Sequence, residues 1–142
     1  MPTPLPVVQA AIAVVERRGR VLIARRLFTD HLGGRWEFPG GKRRVGETWT
    51  ACLKRELIEE LGLRAISPRR IATIRFRYPD RRVHLAVFHC TTTDTPTSRR
   101  GQRVRWVARR SLIRYRWPAA NRELVTCLSG RENLRRREYR LV

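Results

Sequence analysis

Three glutamates near the middle of the chain, Glu56, Glu59 and Glu60, have a spacing that could hold a divalent metal ion. On a helix that turns by about 100° per residue, their carboxylates fall within one arc, beside an arc of apolar side chains that would face the core. The apolar arc consists of Leu53, Leu57, Ile58 and Leu61. Three carboxylates this close repel one another unless a cation neutralises them. A hard divalent cation prefers oxygen ligands, and a site with few protein ligands plus substrate phosphates suits Mg²⁺.

Helix and strand signals around the glutamates indicate how they would be positioned. Thr48 is a credible N-cap and Gly62 a credible C-terminal stop, so we predict a helix that runs through about Leu61. A second helix is predicted at 121–128. The predicted strands are 7–15, 20–26, 69–78, 82–92 and 104–108. Because strand and helix signals alternate around one central helix, the chain is predicted to be an α/β protein.

Length and composition favour one soluble domain. The 142 residues are enough for a single core, and we expect one domain over 1–142, in which 131–142 is a basic tail that frays. Apolar residues make up 42% of the chain, but no run approaches the roughly 18 needed to span a membrane. The N-terminus lacks the features of a secretory signal, and three widely spaced cysteines suggest neither a disulfide framework nor a zinc site. We therefore expect a cytoplasmic monomer.

The chain is strongly basic, with a formal net charge of +20, and only Lys42 and Lys54 of its 32 basic residues are lysines. A charge this large attracts anionic substrates and permits non-specific contact with nucleic acid. The arginines are spread along the whole chain, however, and they lack the interleaved aromatic residues of a stacking platform. We interpret most of them as solvated surface and do not expect a dedicated nucleic-acid interface.

The segment 41–63 carries a pattern that is far more specific than the three glutamates alone. Five residues separate the first fixed position from the second, seven separate the second from the third, and the others follow at the spacing of one helix. The fixed positions are Gly41, Glu47, Arg55, Glu56, Glu59, Glu60 and Gly62. The order and spacing match every fixed position of the Nudix box, so the chain resembles the Nudix hydrolases. The resemblance implies an α/β/α sandwich with a mixed β-sheet and metal-dependent hydrolysis of a phosphoric anhydride bond.

The family's functional residues can be carried over to matching positions. The implied metal ligands are Gly41, through its backbone carbonyl, and Glu56, Glu59 and Glu60. Glu47 and Arg55 would support them, since a guanidinium can hold a carboxylate bidentately. The expected metal is Mg²⁺, with Mn²⁺ as a substitute. Glu56 is the expected general base for the attack of water at phosphorus, without a covalent enzyme intermediate.

The flanks of the box, at 36–42, 78–81 and 117–121, resemble the MutT-like branch of the family. That branch hydrolyses 8-oxo-dGTP to 8-oxo-dGMP and pyrophosphate, which removes a mutagenic nucleotide from the pool. The substrate-binding residues that the resemblance implies are Arg26, His31, Phe38, Tyr78 and Asn121. The first four also have an ordinary structural explanation: a surface charge for Arg26, a loop position for His31, and core packing for Phe38 and Tyr78.

Asn121 is the position that bears on base selectivity. Oxidation of guanine at C8 puts a hydrogen on N7, which turns an acceptor into a donor beside the acceptor O6. An asparagine amide, with its carbonyl facing N7–H and its NH₂ facing O6, would match the oxidised base and clash with the normal one. The alternative is that the same side chain caps the following helix.

One departure from the MutT-like pattern concerns the metal site. That branch has a further glutamate in a later loop, just before a tryptophan, where this chain has Arg105 before Trp106. Either the helix supplies all the carboxylates, or the equivalent position lies elsewhere in the loop. Two other functions stay open: a Nudix hydrolase for another nucleotide or nucleotide derivative, and a non-catalytic module that binds nucleic acid through its charge.

Overall fold

The computed structural model describes residues 3–30, 32–130 and 139–140. Its elements, in chain order, are β1 (Val7–Arg17), β2 (Arg20–Arg25), β3 (Trp36–Glu37), β4 (Gly40–Lys42), α1 (Trp49–Leu61), β5 (Ile66–Arg77), β6 (Arg82–Thr91), β7 (Val104–Ala108), two 3₁₀ turns (Arg109–Arg114 and Ala119–Asn121), α2 (Arg122–Ser129) and β8 (Tyr139–Arg140). Both predicted helices and all five predicted strands are present, with small shifts at their ends. Within the described residues, no helix is long and apolar enough to cross a membrane.

The described strands form one mixed sheet in the order β3-β2-β1-β6-β5-β8, in which β4 pairs with β1 and β7 pairs with β2. β1 and β6 run parallel from Val7 opposite Arg82 onwards. β5 and β6 form an antiparallel hairpin through the predicted turn at 79–80. β1 therefore lies where the parallel and antiparallel parts of the sheet meet, and its pairing with β4 places Gly41, the first residue of the box, beside it.

β1 is buried on both faces, which explains why its sequence is a continuous apolar run instead of an alternating pattern. Ala11 and Ala13 pack in the cluster that contains the apolar face of α1. Ile12 and Val14 pack in the opposite cluster, with the apolar face of α2 and the 3₁₀ turn that follows β7. Helices on both faces of a mixed sheet confirm the predicted α/β/α sandwich.

The central helix α1 has the predicted ends but a different apolar face. The Thr48 hydroxyl accepts a hydrogen bond from the Ala51 N–H at 3.1 Å, and Gly62, at φ 65°, donates its N–H to the Ile58 carbonyl at 3.0 Å. The prediction that Ile58 faces the core is wrong, because its side chain is 48% exposed. Cys52 is buried instead, because it lies beside the buried leucines of α1 on the side of the helix that faces the sheet. The buried residues of α1 are Cys52, Leu53, Leu57 and Leu61.

Several short elements had no clear sequence signal. β3 and β4 span two and three residues, too few for a hydrophobic period. The 3₁₀ turn Arg109–Arg114 follows β7 directly. Of the predicted basic tail, 131–142, only β8 is described, and its backbone pairs in parallel with β5; the remainder lies outside the described residues. The single-domain boundaries, the monomeric state and the cytoplasmic location stay predictions.

Candidate active site

A cavity of about 430 Å³ lies over the sheet between α1, β4 and the segment that leads into α2. Its floor is formed by Val8, Ala10, Ile12, Val83 and Leu85. We call the part lined by Gly41, Glu56 and Glu60 the carboxylate end, and the part lined by Tyr78, Ala120 and Asn121 the distal end. β4 and β5 flank β1 and β6 on opposite sides. With neighbouring strands about 4.8 Å apart, the two ends are separated by two intervening strands.

Two adjacent glycines shape the carboxylate end. β4 pairs with β1 so that Gly40 lies opposite Ile12 and Gly41 opposite Ala11. At Gly40, where φ is 152°, an added Cβ would lie 2.0 Å from the Ala11 carbonyl oxygen. At Gly41 it would lie 2.3 Å from the carboxyl carbon of Glu56. The first glycine thus permits a close approach of two backbones, and the second a close approach of backbone and carboxylate.

The guanidinium of Arg55 organises the acidic face of α1. It holds Glu47 bidentately, with Nε to Oε2 at 2.7 Å and Nη2 to Oε1 at 2.9 Å. Its Nη1 donates to Glu56 at 2.7 Å and to Glu59 at 3.1 Å. Nη2 also donates to the Lys42 carbonyl at 3.0 Å, which ties α1 to β4. Because the hydrogen bonds from Arg55, and then one from the backbone, favour the charged carboxylate, the pKa of Glu47 is lowered to about 2.

The three glutamates predicted as metal ligands differ in their surroundings. Glu56 and Glu60 line the cavity. The Glu59 carboxylate is 46% exposed and lies 3.1 Å from Arg55 and 3.5 Å from Arg44. In the described part of the chain, no three His, Cys, Asp or Glu side chains converge in a metal-binding group. One guanidinium, that of Arg55, engages carboxylate oxygens of both Glu56 and Glu59.

Glu60 is strongly affected by its surroundings. Burial, followed by the charges of Glu37 and Glu56, raises its pKa from 4.5 to about 7. Burial also raises the pKa of Glu37, against the opposing effect of Arg26, whose Nη1 lies 2.6 Å from a Glu37 carboxylate oxygen. Mutual repulsion of partly buried carboxylates is relieved by a cation. The carboxylate end therefore favours the binding of positive charge.

Aromatic rings and a buried amide build the rest of the cavity wall. The Tyr78 hydroxyl accepts a hydrogen bond from the Ala120 N–H at 3.0 Å, which joins the end of β5 to the segment before α2. Phe38 is 2% exposed and stacks on Trp117, with ring centroids 4.7 Å apart. Both Phe38 and Tyr78 line the cavity. Phe38 also belongs to the core, so this residue both packs in the core and lines the cavity.

Asn121 is 7% exposed and lines the cavity. Its side chain makes no cap hydrogen bond at the start of α2, and its backbone is helical, with φ −96° and ψ −13°, instead of extended as in a cap residue. Its N–H donates to the Pro118 carbonyl at 3.0 Å within the 3₁₀ turn. The alternative explanation of Asn121 as an N-cap is therefore wrong, and its amide stays at the cavity wall.

Other cavity residues were partly foreseen. Arg26, a predicted substrate contact, lines the cavity, whereas His31 lies outside the described residues. Sequence reasoning missed Glu37, Arg81 and Arg100, which also line the cavity. Glu37 stands between two aromatic residues just before the box, and Arg81 follows the predicted hairpin turn, so both had a weak positional signal. Arg100 had none, because it is one of many arginines in a polar loop.

A model of the NUDIX domain family matches residues 10–127. The chain belongs to the Nudix family. It is 39% identical over 82 residues to the 8-oxo-dGTP diphosphatase of Proteus vulgaris, a match that covers 58% of this chain and 73% of that protein. It is 34% identical over 85 residues to the CTP pyrophosphohydrolase of Escherichia coli, covering 60% and 63% respectively. A MutT structure from work on the Aliivibrio salmonicida and Vibrio cholerae proteins has a TM-score of 0.74 and 28% identity, covering 87% of this chain and 97% of that chain. This Nudix protein is thus MutT-like in sequence and fold.

Nudix hydrolases use divalent metal ions, and the donor atoms at the carboxylate end fit such an ion. The cavity wall there presents the carboxylates of Glu56 and Glu60. The Gly41 carbonyl, another oxygen donor, accepts a hydrogen bond from the Cys52 thiol at a distance of 3.5 Å. An all-oxygen donor set suits a hard divalent cation. Glu59 would complete the set if its exposed carboxylate left the guanidinium.

Arg105, which stands where the sequence comparison expects the later glutamate, does not line the cavity. Its guanidinium carbon lies 5.4 Å from the ring centroid of Trp36, and within β7 it pairs opposite Ile23. The residue of this loop region that lines the cavity with Glu60 is Arg100. Both explanations of the departure therefore stay predictions.

Proposed function

We propose that this Nudix hydrolase cleaves 8-oxo-dGTP to 8-oxo-dGMP and pyrophosphate, and so removes an oxidised nucleotide from the pool. The observation that carries the proposal is that one cavity contains both the carboxylates of Glu56 and Glu60 and the buried amide of Asn121. Its volume of about 430 Å³ lies within the range of small-molecule sites. The Proteus vulgaris relative, an 8-oxo-dGTP diphosphatase, supports the same substrate.

The metal that we expect is Mg²⁺, with Mn²⁺ as a substitute, because every donor is an oxygen and the substrate phosphates would supply further oxygen ligands. Gly41, Glu56 and Glu60 would hold it, joined by Glu59 once that side chain leaves Arg55. When bound, such an ion polarises a phosphoryl oxygen and lowers the pKa of water.

The remaining chemistry falls to the side chains around Glu56. Water attacks phosphorus in line, a new P–O bond forms, the anhydride P–O bond breaks, and the proton of the water passes to the Glu56 carboxylate. Arg55, held by Glu47, fixes the direction of that carboxylate through its 2.7 Å hydrogen bond. Arg55 and Glu47 are therefore positioning residues.

Base selectivity would come from Asn121. Its carbonyl would accept a hydrogen bond from N7–H of the oxidised base, and its NH₂ would donate to O6. With ordinary guanine, the carbonyl would face the N7 lone pair and the match would be lost. Phe38 and Tyr78 would contact the planar ring, with Tyr78 fixed beside Asn121 through Ala120. Arg26 and His31 are the further predicted substrate contacts.

Pyrophosphate release from a panel of nucleotides with Mg²⁺ tests the proposal. We expect kcat/KM for 8-oxo-dGTP to exceed that for dGTP by roughly a hundredfold or more. The Glu56→Gln variant, purified in parallel, sets an upper limit on contaminating hydrolase activity. Equal turnover of dGTP and 8-oxo-dGTP would overturn the proposed selectivity while leaving the hydrolase reaction in place.

A second candidate is a Nudix hydrolase of another nucleotide. The similarity to the Escherichia coli CTP pyrophosphohydrolase favours it, since that protein shares 34% identity over 85 residues. The carboxylate end would act in the same way, and only the reading of the base would differ. A highest kcat/KM for CTP in the same panel, together with unchanged selectivity after Asn121→Ala, would establish this alternative.

A further inference from the structure

The loop between β6 and β7, residues 92–103, is attached to the C-terminal end of α1. The Thr97 N–H donates to the Leu61 carbonyl at 2.9 Å, and the Arg99 N–H donates to the Glu60 carbonyl at 3.1 Å. Arg100 therefore follows directly after a residue whose backbone is bonded to Glu60. This attachment fixes the Cα of Arg100 relative to the carboxylate end of the cavity.

The Arg100 side chain reaches across the cavity opening to a second loop. Its Nη2 lies 3.2 Å and 3.4 Å from the two carboxylate oxygens of Asp30, in the loop that follows β2. Both residues line the cavity. The Arg100 side chain is 52% exposed and that of Asp30 is 23% exposed. An ion pair this exposed is weak and can be exchanged for a better partner.

The charge of Arg100 also acts on the carboxylate end itself. Arg100 lines the same cavity as Glu37 and Glu60. A cation so close to candidate metal ligands opposes metal binding, but it favours a polyanion that arrives with the metal. A planar guanidinium can bind a carboxylate or a phosphate bidentately, and a terminal phosphate carries more negative charge than one carboxylate.

We propose that Arg100 exchanges Asp30 for the terminal phosphate of a nucleoside triphosphate and makes the enzyme prefer triphosphates to diphosphates. The inference rests on the proposed function only in requiring a nucleotide polyphosphate whose anhydride is cleaved at the carboxylate end. Asp30 acts as the competing partner that holds the guanidinium at the opening until substrate arrives.

The test compares KM for 8-oxo-dGTP and 8-oxo-dGDP in the wild type, Arg100→Ala and Arg100→Lys. We expect Arg100→Ala to raise KM for the triphosphate by about ten- to a hundredfold, with less than about a threefold change for the diphosphate. Lysine should recover part of the loss, because it keeps the charge but not the bidentate geometry. Arg99→Ala is the matched control, since the guanidinium of Arg99 lies near Gly62 and does not line the cavity; it should leave both KM values unchanged.

Asp30→Asn supplies a change in the opposite direction. Freed from its partner, Arg100 should bind the triphosphate more readily, so KM for the triphosphate should fall by about two- to fivefold. In the Arg100→Ala background, Asp30→Asn should have no such effect, and this non-additivity separates release of Arg100 from simple removal of a negative charge.

A triphosphate-to-diphosphate KM ratio that is the same in Arg100→Ala and wild type would overturn the inference. So would an effect of Asp30→Asn that is equal in both backgrounds. The choice of base is measured separately, with dGTP/dGDP and CTP/CDP pairs. If 8-oxo-dGTP is not preferred, the proposed substrate is wrong. The triphosphate-to-diphosphate KM ratio, measured with the preferred base, then still tests the role of Arg100.

Discussion

The two ends of the cavity are built in different ways. At the carboxylate end, Gly41, Glu47, Arg55 and Glu56 come from one stretch of 16 residues. Arg55 is joined to Glu47 and Glu56 by hydrogen bonds of 2.7 Å, and Gly41 lies against Glu56. At the distal end, Tyr78 and Asn121 come from separate parts of the chain and meet only because β5 contacts the segment before α2. The first end depends on local spacing, and the second on tertiary packing.

This difference indicates how the two properties of the enzyme can vary. The reaction depends on a loop and a helix that are held together by Arg55, so a change there affects hydrolysis of every nucleotide. The side chains proposed to contact the base are fixed by no shared motif, so they can change without altering the phosphate chemistry. The cleavage reaction and the base selectivity should therefore be separable by mutation.

The largest effect should follow removal of the charge of Glu56. We expect Glu56→Gln to lower kcat by about 10³-fold or more for every nucleotide, because a metal ligand and the proton acceptor are lost together. The ratio of kcat/KM for 8-oxo-dGTP to that for dGTP should not change. Steady-state pyrophosphate release measures both quantities, and urea unfolding checks that the variant is folded. A change in base selectivity in this variant would mean that the two ends are not independent.

The complementary change is Asn121→Ala at the distal end. Because the amide distinguishes a donor from an acceptor at N7, its loss should reduce selectivity for 8-oxo-dGTP over dGTP by about a hundredfold. Turnover of dGTP should change by less than about threefold, since the carboxylate end is intact. The same pyrophosphate assay provides the measurement. Full selectivity in Asn121→Ala would place base recognition elsewhere in the cavity.

The carboxylate end was the more predictable part of the site. The fixed spacing of the box identified every carboxylate that Arg55 holds, although not the Lys42 carbonyl. Thr48 and Gly62 marked the helix ends that the structure has. The direction of each carboxylate was not predictable. Glu59 faces Arg55 and Arg44 and not the cavity, because helical spacing gives the side of a helix but not the rotamer on it.

The fold followed from the sequence to a large extent, because β1, β6 and α1 carry strong apolar patterns. Short elements were not predictable: β3 and β4 have too few residues for a period, and they form only because β2 and β1 offer them edges. The role of Asn121 was equally ambiguous, since an asparagine side chain suits both a helix cap and a base-recognising position in a cavity. Arg100 illustrates the limit of composition, because nothing distinguished it from its neighbours until the loop was placed on α1.

A smaller effect should follow Gly41→Ala. The added methyl would meet the Glu56 carboxylate, which can rotate away, so the metal ligand would be displaced without unfolding the strand. We expect kcat to fall by about tenfold for all nucleotides with unchanged base selectivity. Gly46→Ala is the matched control, because a Cβ there meets nothing within 4 Å and only its positive φ is strained. Equal losses of kcat in the two variants would exclude displacement of Glu56 as the cause.

The smallest effect on activity should come from Glu16, which lies outside both ends. Its carboxylate forms a hydrogen bond with His89 at 3.1 Å and an ion pair with Arg109. Burial would raise its pKa, but the bonds to His89 and Arg109 outweigh burial and lower the pKa to about 2. We expect Glu16→Gln to reduce the free energy of unfolding at pH 7 by about 1 to 2 kcal/mol, as measured by urea denaturation, with kcat and base selectivity unchanged.

The pH dependence of that loss follows from the direction of the pKa shift. A carboxyl group whose pKa is lower in the folded state stabilises the fold above its ordinary pKa of 4.5 and loses this contribution as the pH falls towards about 2. The difference between wild type and Glu16→Gln should therefore be largest at pH 7 and should shrink between pH 4.5 and about 2. A joint loss of stability and base selectivity in Glu16→Gln at pH 7 would mean that the distal end depends on the overall stability of the fold. The independence of the distal end from the carboxylate end would then need another explanation.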